Sequence, residues 1–325
     1  MSTEINIVEE AIDSLKSLGI DILLETIWLE SDLSIKINGE KFAINVKKNA
    51  QNLNYGILAT SFHPWINPNR LIITDHLSKK TAEELRLNGC NYLDTTGNAF
   101  IKSDNFFIYI EGKKAKLNNK KGQARTFQEA GLKLLLLLIS NPETINYSYR
   151  DLAEKTGIAL GSVSNIFKEL ESNHYILKIN NKKVLKKQEE IIERWVVAYK
   201  DILKPRSFRK KMRALGNEFN INDILNAKDL KLYVGGEPGG QVLTNYLKPQ
   251  DYIIYTNEET SKIAKELKLV PDESGNIEIY NKFWLDNIVL KNKYAAPPLV
   301  VYADLLSTGN NRNIETAKMI LENGI

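Results

Sequence analysis

The chain has 325 residues, of which 43% are hydrophobic and 26% are charged, and its formal net charge is +4. This length allows two or three domains with separate cores, and the composition is that of a soluble globular protein. The longest apolar run, Leu134 to Ile139, is too short to cross a bilayer, no signal sequence opens the chain, and the single Cys90 excludes an internal disulfide. We therefore expect a cytoplasmic protein, with no membrane contact and no zinc site.

The first predicted domain, residues 1–118, is an α/β domain with a mixed sheet flanked by helices. It opens with an amphipathic helix that ends near Gly19. The Asn38-Gly39 pair predicts a tight hairpin turn between two strands. The predicted strands are Ile22–Leu29, Leu33–Ile37, Phe42–Val46, Arg70–Thr74 and Asn91–Leu93, with a helix at Ser78–Leu87 and a last hairpin at Ala99–Ile110.

Asp32 before one of these strands, and Asn45-Val46-Lys47 at the end of the next, resemble the PD-(D/E)XK restriction-endonuclease-like fold. In that fold two carboxylates hold Mg²⁺ and the lysine orients or activates the attacking water. The second carboxylate position is here the neutral Asn45, although Glu25 or Glu30 could stand in. We interpret Asp32, Asn45 and Lys47 as vestigial and expect no cofactor. The alternative is a restriction-like DNA endonuclease, which would need Mg²⁺.

The stretch 88–100 contains Asp94, Gly97 and Asn98, which predict a tight polar turn between two strands. A structural turn is the first interpretation, and a functional contact is the alternative.

The second predicted domain, residues 126–188, is a winged helix-turn-helix that binds duplex DNA. A strongly apolar helix, Gln128–Ser140, precedes two further helices that are separated by Gly157, which accepts the left-handed conformation that ends a helix. The second of these helices begins near Leu160. Tyr175–Ile179 and Lys182–Leu185, joined by an Asn-Asn turn, then predict a hairpin suited to a basic wing. A helical hairpin that only packs against protein is the alternative.

The second helix of such a unit lies in the major groove, with the N-terminal half of the helix at the base edges. Serine and asparagine can contact base edges or phosphates, whereas lysine suits phosphates. Arg150 on the first helix is in position to contact the DNA backbone. The predicted DNA-binding residues are Arg150, Ser162, Ser164, Asn165, Lys168, Lys182 and Lys183.

Two basic runs flank this unit and predict additional attraction to phosphates. The first contains Lys113, Lys114, Lys116, Lys120, Lys121 and Arg125. The second contains Lys204, Arg206, Arg209, Lys210, Lys211 and Arg213. A solvated linker is the alternative for the first run.

The third predicted domain, residues 189–325, is α+β. It begins with an amphipathic helix carrying Trp195 and Val196. The glycine-rich run from Val234 to Gly240 suggests phosphate binding, but it lacks the Walker lysine, so a backbone turn is favoured. The predicted strands are Leu230–Val234, Tyr252–Thr256 and Ile277–Tyr280, with helices near Gly240–Tyr246, Thr260–Leu267 and Ile314–Asn323.

Four features together resemble the AbiEi-type antitoxin and transcriptional regulator family of type IV toxin–antitoxin systems, in the branch with an N-terminal nuclease-like domain. They are the Asp94–Asn98 turn, the helix-turn-helix, Gly235-Gly236 and the Tyr302-Ala303-Asp304-Leu305 block. The resemblance implies an autorepressor that binds operator repeats in duplex DNA and counters a nucleotidyltransferase toxin without forming a stable complex. For Asp304, Arg312 and Glu315 we favour an ion-pair network over a surface that faces a partner.

Overall fold

A computed structural model of the chain describes residues 2–26, 33–48, 55–60, 69–113, 125–180, 182–216 and 219–325. These residues form two compact units that divide between residues 120 and 121. The predicted boundary between residues 188 and 189 lies inside the second unit. Within the described residues, no helix has both the length and the apolar character that a membrane span requires.

The first unit is built on a seven-stranded mixed sheet whose strands lie side by side in chain order. The third, fourth and fifth strands are paired in parallel, and all other neighbours are antiparallel. Its elements are α1 (Ser2–Lys16), β1 (Ile22–Thr26), β2 (Leu33–Ile37), β3 (Glu40–Lys47), α2 (Tyr55–Thr60), β4 (Arg70–Thr74), α3 (Lys79–Leu87), β5 (Asn91–Asp94), β6 (Ala99–Lys102) and β7 (Phe107–Ile110).

One face of this sheet packs against α1, because the apolar positions of the helix and of the strands meet there. Val8, Ile12 and Leu15 of the helix are buried in the same cluster as Ile35 and Leu71 of the sheet. The predicted turn between β2 and β3 is confirmed, since Asn38 and Gly39 both have positive φ, at 47° and 85°. The short helix α2 was not predicted from the sequence.

The described residues of the second unit form four α-helices and a two-stranded hairpin, followed by helices around a five-stranded sheet. Side by side, the strands of this sheet are Tyr233–Gly235, Tyr252–Thr256, Ile277–Asn281, Phe208–Ala214 and Leu269–Pro271. The first part comprises α4 (Glu129–Ser140), α5 (Tyr149–Thr156), α6 (Leu160–Ser172), β8 (Ile176–Ile179), β9 (Lys182–Leu185) and α7 (Gln188–Ala198). The second part comprises α8 (Lys204–Ser207), β10 (Phe208–Ala214), α9 (Ile221–Leu225), β11 (Tyr233–Gly235), α10 (Gly236–Thr244), β12 (Tyr252–Thr256), α11 (Thr260–Glu266), β13 (Leu269–Pro271), β14 (Ile277–Asn281), α12 (Pro298–Ser307) and α13 (Asn311–Glu322).

Helix α4 is a core element of the second unit, as its run of leucines predicted. Its residues from Leu134 to Ile139 are all buried, and Trp195 of α7 donates a hydrogen bond from Nε1 to the carbonyl oxygen of Leu132, at 2.9 Å. A π-helical turn, Tyr199–Leu203, joins α7 to α8. Helices α4 and α7 therefore connect the first part of the unit to the second part.

Candidate nucleic-acid interface

Helices α5 and α6 are separated by a tight turn whose geometry is set by a few residues. The side chain of Ser148 accepts a hydrogen bond from the backbone N–H of Asp151 and so caps the start of α5. At the other end, Gly157 has φ +66° and ends the helix in the left-handed conformation. This confirms the position predicted for the turn.

Helix α6 has one buried face and one exposed face. Val163, Ile166, Phe167 and Leu170 are buried, so this side seats the helix on the core. On the opposite side Asn165 and Lys168 are exposed, as are Gly161 and Ser172 on the same helix. A row of small, polar and basic residues is therefore open to solvent along the length of the helix.

The predicted DNA-binding residues differ in how far they reach the surface. Arg150 on α5 and Lys182 on β9 are exposed, like Asn165 and Lys168, whereas Ser162, Ser164 and Lys183 are half-buried. The set is carried by α5, α6 and the β8–β9 hairpin, and α6 contacts both α5 and β8. Lys178, which the sequence argument missed, is an exposed cation on the same hairpin. Its place in a wing strand was the available signal.

The hairpin is fixed to the helices at several points. Lys183 donates its backbone N–H to Oδ1 of Asn146 at 2.7 Å, and Nδ2 of Asn146 donates to the Lys183 carbonyl at 3.1 Å. The ammonium of Lys183 lies 4.9 Å from the ring centroid of Tyr149 and 4.7 Å from that of Phe167. Lys183 thus holds the hairpin against the helices, while its phosphate contact stays a prediction.

The second basic run is not the free basic surface that was expected. Four of the six cations named above are engaged within the unit: Lys204 with Asp304, Arg206 with Glu129, Arg209 with the Glu258 carbonyl and Thr260, and Arg213 with Asp272. These pairs could not be predicted from spacing, because every partner is distant along the chain. Of the first run, Lys114 to Lys121 lie outside the described residues.

A buried polar centre joins the distant parts of the second unit. Asp304 on α12 is 1% exposed, and its Oδ1 accepts hydrogen bonds from Lys204 at 2.7 Å and from Tyr199 at 2.9 Å. Its Oδ2 accepts from Tyr255 at 2.8 Å and from the backbone N–H of Gly236 at 3.2 Å. Burial, and then the charge of Asp304, raise the pKa of Tyr199 and Tyr255 well above their usual value. Both phenols are therefore neutral donors to the carboxylate.

The glycine-rich turn is explained by this centre. A Cβ atom at Gly235 would lie 2.5 Å from Cε2 of Tyr255 and 2.6 Å from Oδ2 of Asp304, so only glycine fits. The N–H of Gly236 at the start of α10 is already bound to a carboxylate within the chain. The preferred interpretation of this run as a backbone turn fits these contacts, and phosphate binding does not.

The predicted network among Asp304, Arg312 and Glu315 is wrong, because each of the three has a different partner. Arg312 approaches Glu237 at 3.7 Å, and Glu315 accepts a hydrogen bond from Tyr246 at 2.9 Å.

In the first unit, Asp32 lies outside the described residues. Alternation along β3 places Asn45 and Lys47 on the face opposite α1, since Ile44 and Val46 pack against the core on the α1 side. In the register of the parallel strands, Lys47 is paired with Thr74 of β4, and Thr74 is paired with Asp94 of β5. Lys47 is buried and interacts with other groups.

Asp94 is the centre of the polar turn that follows β5. Its Oδ1 accepts from the backbone N–H and hydroxyl of Thr96, at 3.0 and 2.6 Å, and from the N–H of Asn98 at 2.9 Å. Its Oδ2 accepts from Asn98 Nδ2 at 2.9 Å and lies 3.1 Å from Nδ1 of His76. The structural interpretation of this turn is supported, because the carboxylate is fully used in holding it. In the described part of the chain, no group of three His, Cys, Asp or Glu residues could hold a metal ion.

Comparison with protein families gives a match for the C-terminal part of the chain. Residues 183–325 match the family described as transcriptional regulator, AbiEi antitoxin, type IV toxin–antitoxin system. Over these residues the chain is similar to the AbiEi antitoxin family. The match contains Gly235, Gly236 and Asp304, so the buried centre is part of the AbiEi region, whereas α4, α5 and α6 precede it. Searches of curated proteins and of solved structures found no significant match.

Proposed function

We propose that α5, α6 and the β8–β9 hairpin form a winged helix-turn-helix that binds duplex DNA, and that this AbiEi-family chain represses its own operon as the antitoxin of a type IV system. The observation that carries the proposal is the exposed face of α6, where Asn165 and Lys168 stand free of the core. The hairpin that follows this helix adds two exposed cations, Lys178 and Lys182.

The residue chemistry of this face fits a duplex. Gly161 lets the start of the helix approach the DNA closely, and Asn165 can bond to an adenine edge or to a phosphate. Lys168, Lys178 and Lys182 supply cations for phosphates, so binding should weaken as salt increases. No arginine lies on α6, so we expect the sequence preference to be modest and the contribution of phosphate contacts to be large.

The test is selection of bound genomic fragments by the wild-type chain and by the double variant Asn165→Ala/Lys168→Ala. Lys265→Ala, which removes the same charge from the exposed side of α11, is the matched control. We expect the wild type and the control to enrich the promoter region upstream of their own gene, and the double variant to lose this enrichment. Equal enrichment by all three proteins would refute the proposal.

We further propose that the target of the antitoxin is a nucleotidyltransferase toxin, countered without a stable complex. Co-expression with the nucleotidyltransferase encoded by a neighbouring gene should restore growth, while the two proteins elute separately on size exclusion. Failure to restore growth would exclude this toxin, and co-elution would contradict the mode of action.

The alternative, a metal-dependent endonuclease, has one observation in its favour: Lys47 and Asp94 share a face and a level of the first sheet. Both oxygens of Asp94 are, however, occupied by donors from its own turn, and Asn45 is a neutral ligand where a hard cation prefers an anionic one. We therefore propose a binding protein and not an enzyme. Cleavage of plasmid DNA with Mg²⁺ or Mn²⁺ that is lost in Lys47→Ala would overturn this proposal.

A further inference from the structure

A long loop in the second unit connects the buried Asp304 centre to the turn between α5 and α6. The 16 residues 282–297, here called the 282–297 loop, join β14 to α12 without regular secondary structure. Loops longer than about 12–15 residues are uncommon in compact domains and are usually functional. The path of this loop indicates what it does.

The beginning of the loop is anchored in the aromatic residues around Asp304. The ring of Phe283 lies 5.9 Å from that of Tyr199, and the ring of Trp284 lies 5.3 Å from that of Tyr255. These two tyrosines are the ones that donate hydrogen bonds to Asp304. Further along, the loop is tied to β11, where the N–H of Val234 donates to the Tyr294 carbonyl at 2.8 Å.

The middle of the loop reaches the end of α5. Asn287 donates from Nδ2 to the carbonyl oxygen of Lys155 at 2.8 Å. This carbonyl is one of the last four of the helix, which have no partner within the helix itself. Cδ1 of Leu285 lies 4.0 Å from the position that a Cβ atom at Gly157 would occupy. The loop therefore contacts the residues from which α6 departs.

The direction of α6 depends on the conformation of the turn at Gly157. A helix that enters a groove must keep its orientation, because base contacts need side chains placed to within a fraction of an ångström. Phosphate contacts from lysine tolerate more movement, since the ammonium is a point charge on a flexible chain. A looser turn would consequently weaken site-specific binding more than nonspecific binding.

We propose that Asn287 is a positioning residue for α6. Through this residue, the Asp304 centre within residues 183–325 sets the DNA affinity of helices α5 and α6, which precede those residues. This inference rests on the proposed DNA-binding function. It implies that an event which displaces the 282–297 loop lowers operator affinity without touching the DNA-binding residues.

The test compares Asn287→Ala with Asp286→Ala, a matched truncation of the neighbouring residue, whose side chain is 67% exposed and pairs with Lys282. Dissociation constants are measured on a duplex carrying the upstream promoter region and on a duplex of the same length and shuffled sequence. Loss of one hydrogen bond predicts that Asn287→Ala weakens promoter binding about two- to tenfold. Binding to the shuffled duplex should be unchanged, and Asp286→Ala should match the wild type on both.

Hydrogen exchange supplies a second readout that lost stability elsewhere would not imitate. The amides of Gly157 and Ile158, which both donate to the Ala153 carbonyl, should exchange faster in Asn287→Ala and at the wild-type rate in Asp286→Ala. Leu285→Ala provides a second variant should Asn287→Ala fail to fold, with the same expected pattern.

The outcomes separate the two proposals. If the wild type does not prefer the promoter duplex, the proposed function is refuted and the inference falls with it. If the wild type prefers the promoter and the folded loop variants keep the same preference and the same exchange rates, only the positioning role is refuted.

Discussion

Replacing Lys204 by methionine should destabilise the second unit strongly, because it removes the cation that faces a buried carboxylate. The ammonium of Lys204 lies 2.7 Å from Oδ1 of Asp304, whose side chain has no exposed surface, while that of Lys204 is 15% exposed. Methionine keeps most of the aliphatic volume but leaves the charge of Asp304 to two phenols and one backbone N–H.

The magnitude follows from the cost of an uncompensated buried charge. Removing one partner of a buried ion pair typically costs about 3–5 kcal/mol. For a unit of this size each kcal/mol corresponds to about 2–4 °C, so the melting temperature should fall by roughly 6–20 °C. Because the loss comes from the unpaired charge, the double variant Lys204→Met/Asp304→Asn should be more stable than Lys204→Met alone.

The assay is urea unfolding of the full chain, followed by fluorescence and circular dichroism, for the wild type, both single variants and the double variant. Lys265→Met controls for loss of a surface lysine and should leave the unfolding free energy unchanged. The reasoning fails if Lys204→Met lies within about 1 kcal/mol of the wild type, or if the double variant is no more stable than Lys204→Met.

Three further outcomes are expected. Gly157→Ala should lower the unfolding free energy by about 1 kcal/mol or more, because φ at this position is +66° and a side chain is strained there. Gly157→Asn should cost less, since asparagine tolerates this conformation better. Equal stability of the two variants would contradict this reasoning. Burial, then the hydrogen bond to Glu190, raises the pKa of Tyr175 to about 12. The contribution of Tyr175 to folding stability is therefore fully present below pH about 10 and is lost as the pH rises from there towards 12. In alkaline unfolding, Tyr175→Phe should make this decline shallower. Lys183→Ala should lower the unfolding free energy by about 0.5–1 kcal/mol, because its contacts with two aromatic rings are lost. Lys182→Ala should instead weaken DNA binding and leave the unfolding free energy unchanged. The reverse pattern would show that the two lysines have been assigned the wrong roles.

Local sequence signals predicted the elements whose geometry is decided within a few residues. The Asn38-Gly39 turn, the left-handed Gly157 and the buried leucines of α4 all lie where expected, because turn chemistry and periodicity do not depend on distant partners. On α6 the exposed positions of Asn165 and Lys168 agree with the prediction, whereas Ser162 and Ser164 of the predicted set are half-buried.

Features that depend on distant residues were not predicted. Strand β10 coincides with the second basic run, and its charged residues gave no strand signal, since only Met212 of this strand is fully buried. Asp304 pairs with Lys204, which lies 100 residues away, rather than with the neighbouring Arg312. Spacing along the chain cannot indicate such partners. The contact of Asn287 with α5 was missed for the same reason.

The claim on which the account depends is that the exposed face of α6 enters a DNA groove. The most direct test is titration of the promoter duplex with the wild type and with Asn165→Ala/Lys168→Ala over a range of salt concentrations. We expect the variant to lose roughly tenfold or more in promoter affinity and to lose less affinity for shuffled DNA, because only the lost phosphate contact of Lys168 affects both duplexes. The magnitude of the slope of log K against log salt should fall by about 0.9. Equal affinity and equal slope for the two proteins would contradict the account.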